Sequence, residues 1–213
     1  RVVFHPMFLS KIQPYGTLRF MEWGATNVQT NEEWVDRTQV SFRTFSMNGV
    51  PFEYMIKLCN IMGKNMWVNV PHLASDDFIQ KLATLIKTTL RPDLKVYVDI
   101  QIKFGETCSQ AVNSLAQGLA YSLSADPTEA RFCFLGVMTQ TISSIFRPIF
   151  NDTPSQLQVV VSTQAVNADT TRRILACQDT YQYVDGVAVA PYFGANLTNT
   201  TTMDQLFDTL LPA

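Results

Sequence analysis

The sequence predicts an α/β fold in which parallel strands alternate with helices, arranged as a (β/α)-barrel rather than a doubly wound sheet. Three observations carry that expectation. Short β-branched or aromatic runs alternate with longer amphipathic stretches in the order βαβαβαβαβα. The strand runs are mostly continuous and apolar, as expected when both faces of a sheet are covered. Successive parallel strands joined by helical crossovers leave only two architectures, a doubly wound sheet or a barrel. No GxGxxG or GxxxxGK-Ser/Thr follows any strand, so the nucleotide-binding fingerprint of a doubly wound fold is missing.

The elements follow in order. Residues 16–23 (GTLRFMEW) read as the first strand, and 27–48 as a polar connector without a clear period. Residues 51–63 (PFEYMIKLCNIMG) form a helix opened by proline and closed by glycine. Residues 65–72 (NMWVNVPH) are the second strand. Ser75 caps the next helix, Asp76 and Asp77 occupy its first turn, and Phe78, Ile79, Leu82, Leu85 and Ile86 recur at helical spacing until Pro92. Residues 94–100 (LKVYVDI) are the third strand, and 105–124 are read as partly helical. Asp126 caps a long helix over 127–150, with Pro148 marking a kink or an end. Residues 157–164 (LQVVVSTQ) are the fourth strand, 169–183 a helix, 184–194 (VDGVAVAPYFG) the fifth strand and 203–211 a last short helix.

The bulk composition bounds the function. In 213 residues, 46% are hydrophobic and 16% charged, enough for one well-filled domain and contrary to disorder. The net charge of -2 and the lack of a basic run argue against nucleic acid or an anionic membrane as partner. No apolar stretch approaches the roughly 20 residues of a membrane span. Arg1 opens the chain without a signal-like segment, which reads as a processed chain or a piece of a longer one. Sequons at Asn151, Asn196 and Asn199 point to the secretory route, the last two lying side by side in NLTNTT. Cys59, Cys108, Cys133 and Cys177 lack metal spacing, and are either buried thiols or one or two disulfides among three full pairings. With two histidines and no HExxH, neither a metal nor another cofactor is expected.

The strand ends favour the barrel. They carry Glu22-Trp23, Pro71-His72, Gln101 to Lys103, Ser162 to Gln164 and Pro191-Tyr192-Phe193. In a barrel these ends meet at one mouth, where the site lies. Aromatic faces can pack on sugar C–H groups while polar groups bond hydroxyls, so Glu22, Trp23, His72 and Tyr192 are the candidate carbohydrate-binding residues. For His72 the alternative is a structural hydrogen bond before a loop, and for Trp23 and Tyr192 plain packing. Ser162, His72 and Asp185 supply the residue types of a hydrolytic triad, but no GxSxG elbow accompanies them.

Six segments, FHPMFL, TLRFMEWGATN, GVPFEYMIKLCNIMG, MWVNVPHLASDDF, LKVYVD and YVDGVAVAPYFG, together resemble glycoside-hydrolase-like TIM barrels of the clan that includes family-5 cellulases. The resemblance runs from Phe4 to Gly194, with LRFMEW and VNVPHLASDDF the most specific matches. It implies an α/β (β/α)8 TIM barrel of which this chain covers about strands 2 to 6, as one domain, 1–213, of a larger barrel. Strands 1, 7 and 8 would come from the same precursor or a partner chain, because an open arc leaves two sheet edges.

The resemblance also implies a retaining mechanism with two glutamates about 5 Å apart. Laid on the family pattern VYVEYSNEVWN, the stretch VYVDIQIKFGE puts Ile102 at the asparagine and Lys103 at the acid/base glutamate. A lysine there is a poor glycosidic proton donor and would repel a cationic transition state. Arg19 matches the arginine that braces the family's carboxylates, and without them it is expected to pair Glu22 or Asp99 structurally.

The expectation is therefore a secreted glycoprotein with a catalytically degenerate glycosidase-like barrel. Its role would be structural or carbohydrate-binding in an extracellular matrix, coat or filament, with a carbohydrate or glycoprotein partner. The alternative is an active retaining β-glycan hydrolase whose acid is displaced, with Glu106 as a candidate.

Overall fold

The computed structural model describes residues 3–21, 23–25, 31–45, 49–100, 116–120, 123–164 and 167–190. Within them lie five strands: β1 (Thr17–Arg19), β2 (Asn65–Val70), β3 (Val96–Ile100), β4 (Leu157–Gln164) and β5 (Gly186–Ala190). The helices are α1 (Pro6–Ile12), α2 (Phe52–Met62), α3 (Asp76–Thr89), α4 (Pro127–Ile149) and α5 (Ala168–Ala176), with a further helical stretch over 116–120.

All strand pairings are parallel, and the sheet order is β1-β2-β3-β4-β5. A doubly wound sheet reverses its order at a switch point; this one never does. The result is an α/β fold with a curled half-barrel sheet. Among the described residues no helix is long and apolar enough to cross a membrane.

Local chemistry explains the element ends. Pro51 precedes α2, and Gly63 closes it in the left-handed region (φ 62°), its N–H donating to Cys59 O. Ser75 Oγ accepts from Phe78 N at 3.3 Å to start α3, and Asp126 Oδ1 accepts from Glu129 N at 2.8 Å to start α4. Pro148 sits inside the last turn of α4, and the helix runs to Ile149.

Three expectations change. The first strand is three residues, not eight, because after Phe20 N donates to Trp67 O the chain turns and Gly24 N donates back to Phe20 O. The second strand stops at Val70, and His72 falls in the turn closed by Ala74 N on Pro71 O. The helix expected over 169–183 breaks: α5 ends at Ala176, and a 3-10 segment, Cys177–Tyr183, carries Gln178 and Asp179 in the left-handed region. A seven-residue helix absent from the sequence reading, α1, is opened by Pro6 and by His5 Nδ1 accepting from Met7 N.

Strand alternation gives the sheet two unlike faces. Met66, Val68, Val70, Val96, Val98, Ile100, Leu157, Val159 and Val161 point to the helices and are fully buried. Against them pack Met55, Ile56 and Cys59 of α2, Phe78, Ile79, Leu82 and Ile86 of α3, and Leu135, Ile142 and Phe146 of α4. The opposite face carries Arg19, Trp67, Asn69, Tyr97, Asp99 and Ser162. The connector over 31–45 straps the helix layer: Trp34 stacks on Phe52 and meets Phe78 edge-on, and Arg37 clamps Glu53 with two hydrogen bonds.

Of the cysteines, Cys133 on α4 is bonded to Cys177 at the end of α5, and Cys59 is a buried free thiol. Cys108 lies outside the described residues. Gly136 lets these parts approach: a Cβ there would stand 2.6 Å from Thr180 Oγ1.

Candidate functional site

The inner face of the sheet is organised around one carboxylate. Parallel register sets Asn69 beside Asp99 on β2 and β3, and alternation turns both away from the helices. Asp99 is 1% exposed. Its Oδ2 accepts from Arg19 Nη2 of β1 at 3.2 Å and from Ser162 Oγ of β4, and its Oδ1 accepts from Asn69 Nδ2 of β2. One side chain thus ties four consecutive strands. Arg19 lies over the Trp67 ring, 4.6 Å from its centroid, and Trp67 in turn packs on Tyr97. The Trp67 indole N–H leans toward Asp99 without completing a hydrogen bond, and Asn69 Oδ1 is unpartnered.

Burial pushes the Asp99 carboxyl above its ordinary range, against the pull of the Arg19 charge and the Ser162 and Arg19 hydrogen bonds. Both of its oxygens are occupied. To act as nucleophile or acid it would have to give up the bonds that hold the strands. Among the described strand residues, Asp99 is the one acidic side chain on this face.

A second feature lies at the C-terminal end of β2. A cleft of about 620 Å³ opens between the His72–Asp76 turn, the strap at Glu32 and α4. The turn and the strap are pinned together, Ser75 N donating to Glu32 O at 2.9 Å and Ser75 Oγ to Glu33 Oε2 at 3.3 Å. The opposite wall is a helical stripe of α4, Phe134, Val137, Met138 and Thr141, spaced i, i+3, i+4, i+7. Gln117, Leu123 and Gln178 complete the lining. His72 lines the cleft but is 1% exposed, and burial pushes its pKa down to about 4, so its imidazole is neutral at pH 7.

The candidate residues are not all brought together. His72 reaches the cleft. Trp23 does not: its ring stacks on Phe8 and tilts against Phe20, part of an aromatic packing group at the start of the chain. Glu22, Tyr192, Asn196 and Asn199 lie outside the described residues, as do Ile102, Lys103 and Glu106. Asn151 is exposed in the turn after α4. The triad residue types are dispersed, with Ser162 bonded to Asp99 and Asp185 held by Arg147 and by Val159 N. Among the described residues no group of three or more His, Cys, Asp or Glu is placed to hold a metal.

Arg19 pairs Asp99, one of the two partners its position suggested. Asn69 and the α4 wall were missed, and Ser162 was read as a strand-end residue and a triad type rather than as a partner of Asp99. The signal for both polar residues was strand parity: Asn69 faces Asp99 in register, and Ser162 occupies an inward position on β4.

No family model, curated protein or solved structure matches this chain.

Proposed function

We propose that this chain is the larger part of a non-catalytic, glycosidase-like (β/α)8 TIM barrel that serves a secreted protein in a structural or carbohydrate-binding role. The observation that carries the reading is the engagement of Asp99. The carboxylate best placed on the inner face spans β1, β2 and β4 as a structural tie, with both oxygens occupied. A glycosidase needs two carboxylates flanking the bond, one with a raised pKa and free to deliver its proton. Sequence adds Lys103 where the resembled family has its acid. The sequential sheet order suits strands 2 to 6 of a barrel, whose remaining strands would be supplied by the same precursor or a partner chain.

Secretion is supported by the Cys133–Cys177 bond, a modification typical of oxidising compartments, and by the exposure of the Asn151 sequon. A polysaccharide pull-down tests the function. The protein should sediment with at least one insoluble glycan and release no new reducing ends. Release of reducing ends that disappears in Glu106→Gln would instead establish the displaced-acid hydrolase.

A further inference from the structure

The cleft at the end of β2 has a charge pattern that narrows its ligand. Glu32 and Asp76 line the wall formed by the strap and the start of α3, and no lysine or arginine lines the cleft among the described residues. His72 adds no positive charge above about pH 4, because burial keeps it neutral. The facing wall is the apolar α4 stripe of Phe134, Val137 and Met138, and Gln117, Gln178 and Thr141 add neutral hydrogen-bonding groups. Among the described residues, an anion would meet two carboxylates with no counter-charge. A cation with an apolar side and several hydroxyls would use every wall: carboxylates for the charge, amides for hydroxyls, the stripe for C–H surface. The volume of about 620 Å³ is in the range of small-ligand sites, about 300–1,000 Å³.

We infer that this cleft binds amino sugars carrying free ammonium groups, in preference to neutral or acidic sugars. The inference rests on the carbohydrate-binding reading above and specifies its ligand class. Glu32 and Asp76 select the charge; the α4 stripe holds the ring.

The test is calorimetric titration of the full chain at pH 6 with four probes: the β-1,4-linked glucosamine trimer, cellotriose, trigalacturonate and n-hexylammonium. It is repeated on the double variant Glu32→Gln/Asp76→Asn. The Met138 methyl resonance, followed in parallel, reports occupancy of this cleft in particular. Both substitutions are at exposed positions, and a circular dichroism spectrum checks the fold. The glucosamine trimer should bind at least tenfold more tightly than cellotriose, trigalacturonate should not bind, and the Met138 methyl should shift. The double variant should lose the tenfold preference and keep its affinity for cellotriose. Equal binding of cellotriose, or a preference that survives the double variant, overturns the charge selection and leaves carbohydrate binding standing. Binding of hexylammonium without any sugar overturns the sugar assignment itself. Tight binding with an unmoved Met138 methyl overturns the site, and no binding by any probe overturns both readings.

Discussion

Replacing Asp99 separates a structural tie from a chemical group. Asp99→Ala removes the acceptor for Arg19, Asn69 and Ser162 at once. Breaking a buried pair costs about 3–5 kcal/mol, and the low end, about 3 kcal/mol, applies because the Arg19 side chain is 36% exposed and can turn to water. For a chain of this length that is a fall in Tm of about 6–12 °C. Asp99→Asn keeps an acceptor oxygen and removes a charge that burial disfavours, so its cost is about 1 kcal/mol. The pH dependence gives the sharper test. Burial, the largest influence, raises the folded pKa above the unfolded one, so the folded protein holds the proton more tightly. The stability that this group contributes is fully present below the unfolded pKa and is lost as pH rises through the folded pKa. The advantage of wild type over Asp99→Asn should therefore shrink as pH rises above about 4, the unfolded carboxyl value. Urea unfolding followed by tryptophan fluorescence, on both proteins across that range, measures it. An advantage that grows with pH would mean that the Arg19 charge dominates burial, and would refute the reasoning.

Further outcomes follow from other parts of the molecule. His72, whose folded pKa is depressed to about 4, should destabilise the protein as pH falls from 6.5 toward 4, by on the order of 2 kcal/mol; His72→Gln should remove that slope in the same unfolding series. The Cys133–Cys177 bond closes a separation of 44 residues, so a Cys133→Ala/Cys177→Ala variant should lose up to about 4 kcal/mol in chemical denaturation. Gly63 has room for a methyl group but a left-handed backbone, so Gly63→Ala should cost about 1 kcal/mol in thermal unfolding and Gly63→Asn less. Cys59, pushed up to about 12 by burial, should stay unmodified by iodoacetamide at pH 8 until the protein is unfolded, as read by peptide mass spectrometry.

What the sequence disclosed was local. Ser75, Asp126 and Gly63 each satisfy groups within one helical turn, and their residue types announce this. The buried strands were visible because Val96 and Val98, or Val159 and Val161, must be apolar to lie under helices. The parallel order followed from helical crossovers. The missed features depend on distant partners. The helix over 169–183 looked continuous, yet Gln140 of α4 hydrogen-bonds Gln178 O and Thr180 Oγ1, holding the broken segment that follows Cys177. The four-strand tie joins Arg19 to Ser162, 143 residues apart, and nothing near either residue marks it. Trp23 was read as a sugar platform or as plain packing because it ends a strand run; Phe8, from a helix too short to detect by period, stacks on its ring.

Saturation-transfer NMR of the intact protein with a mixture of defined oligosaccharides, followed over a day, tests the central claim most directly. Magnetisation should pass to sugar ring protons while the anomeric signals stay constant, as for a binder without hydrolytic chemistry. New reducing-end anomeric signals growing with time would contradict the account, and a complete lack of transfer would overturn its carbohydrate-binding arm.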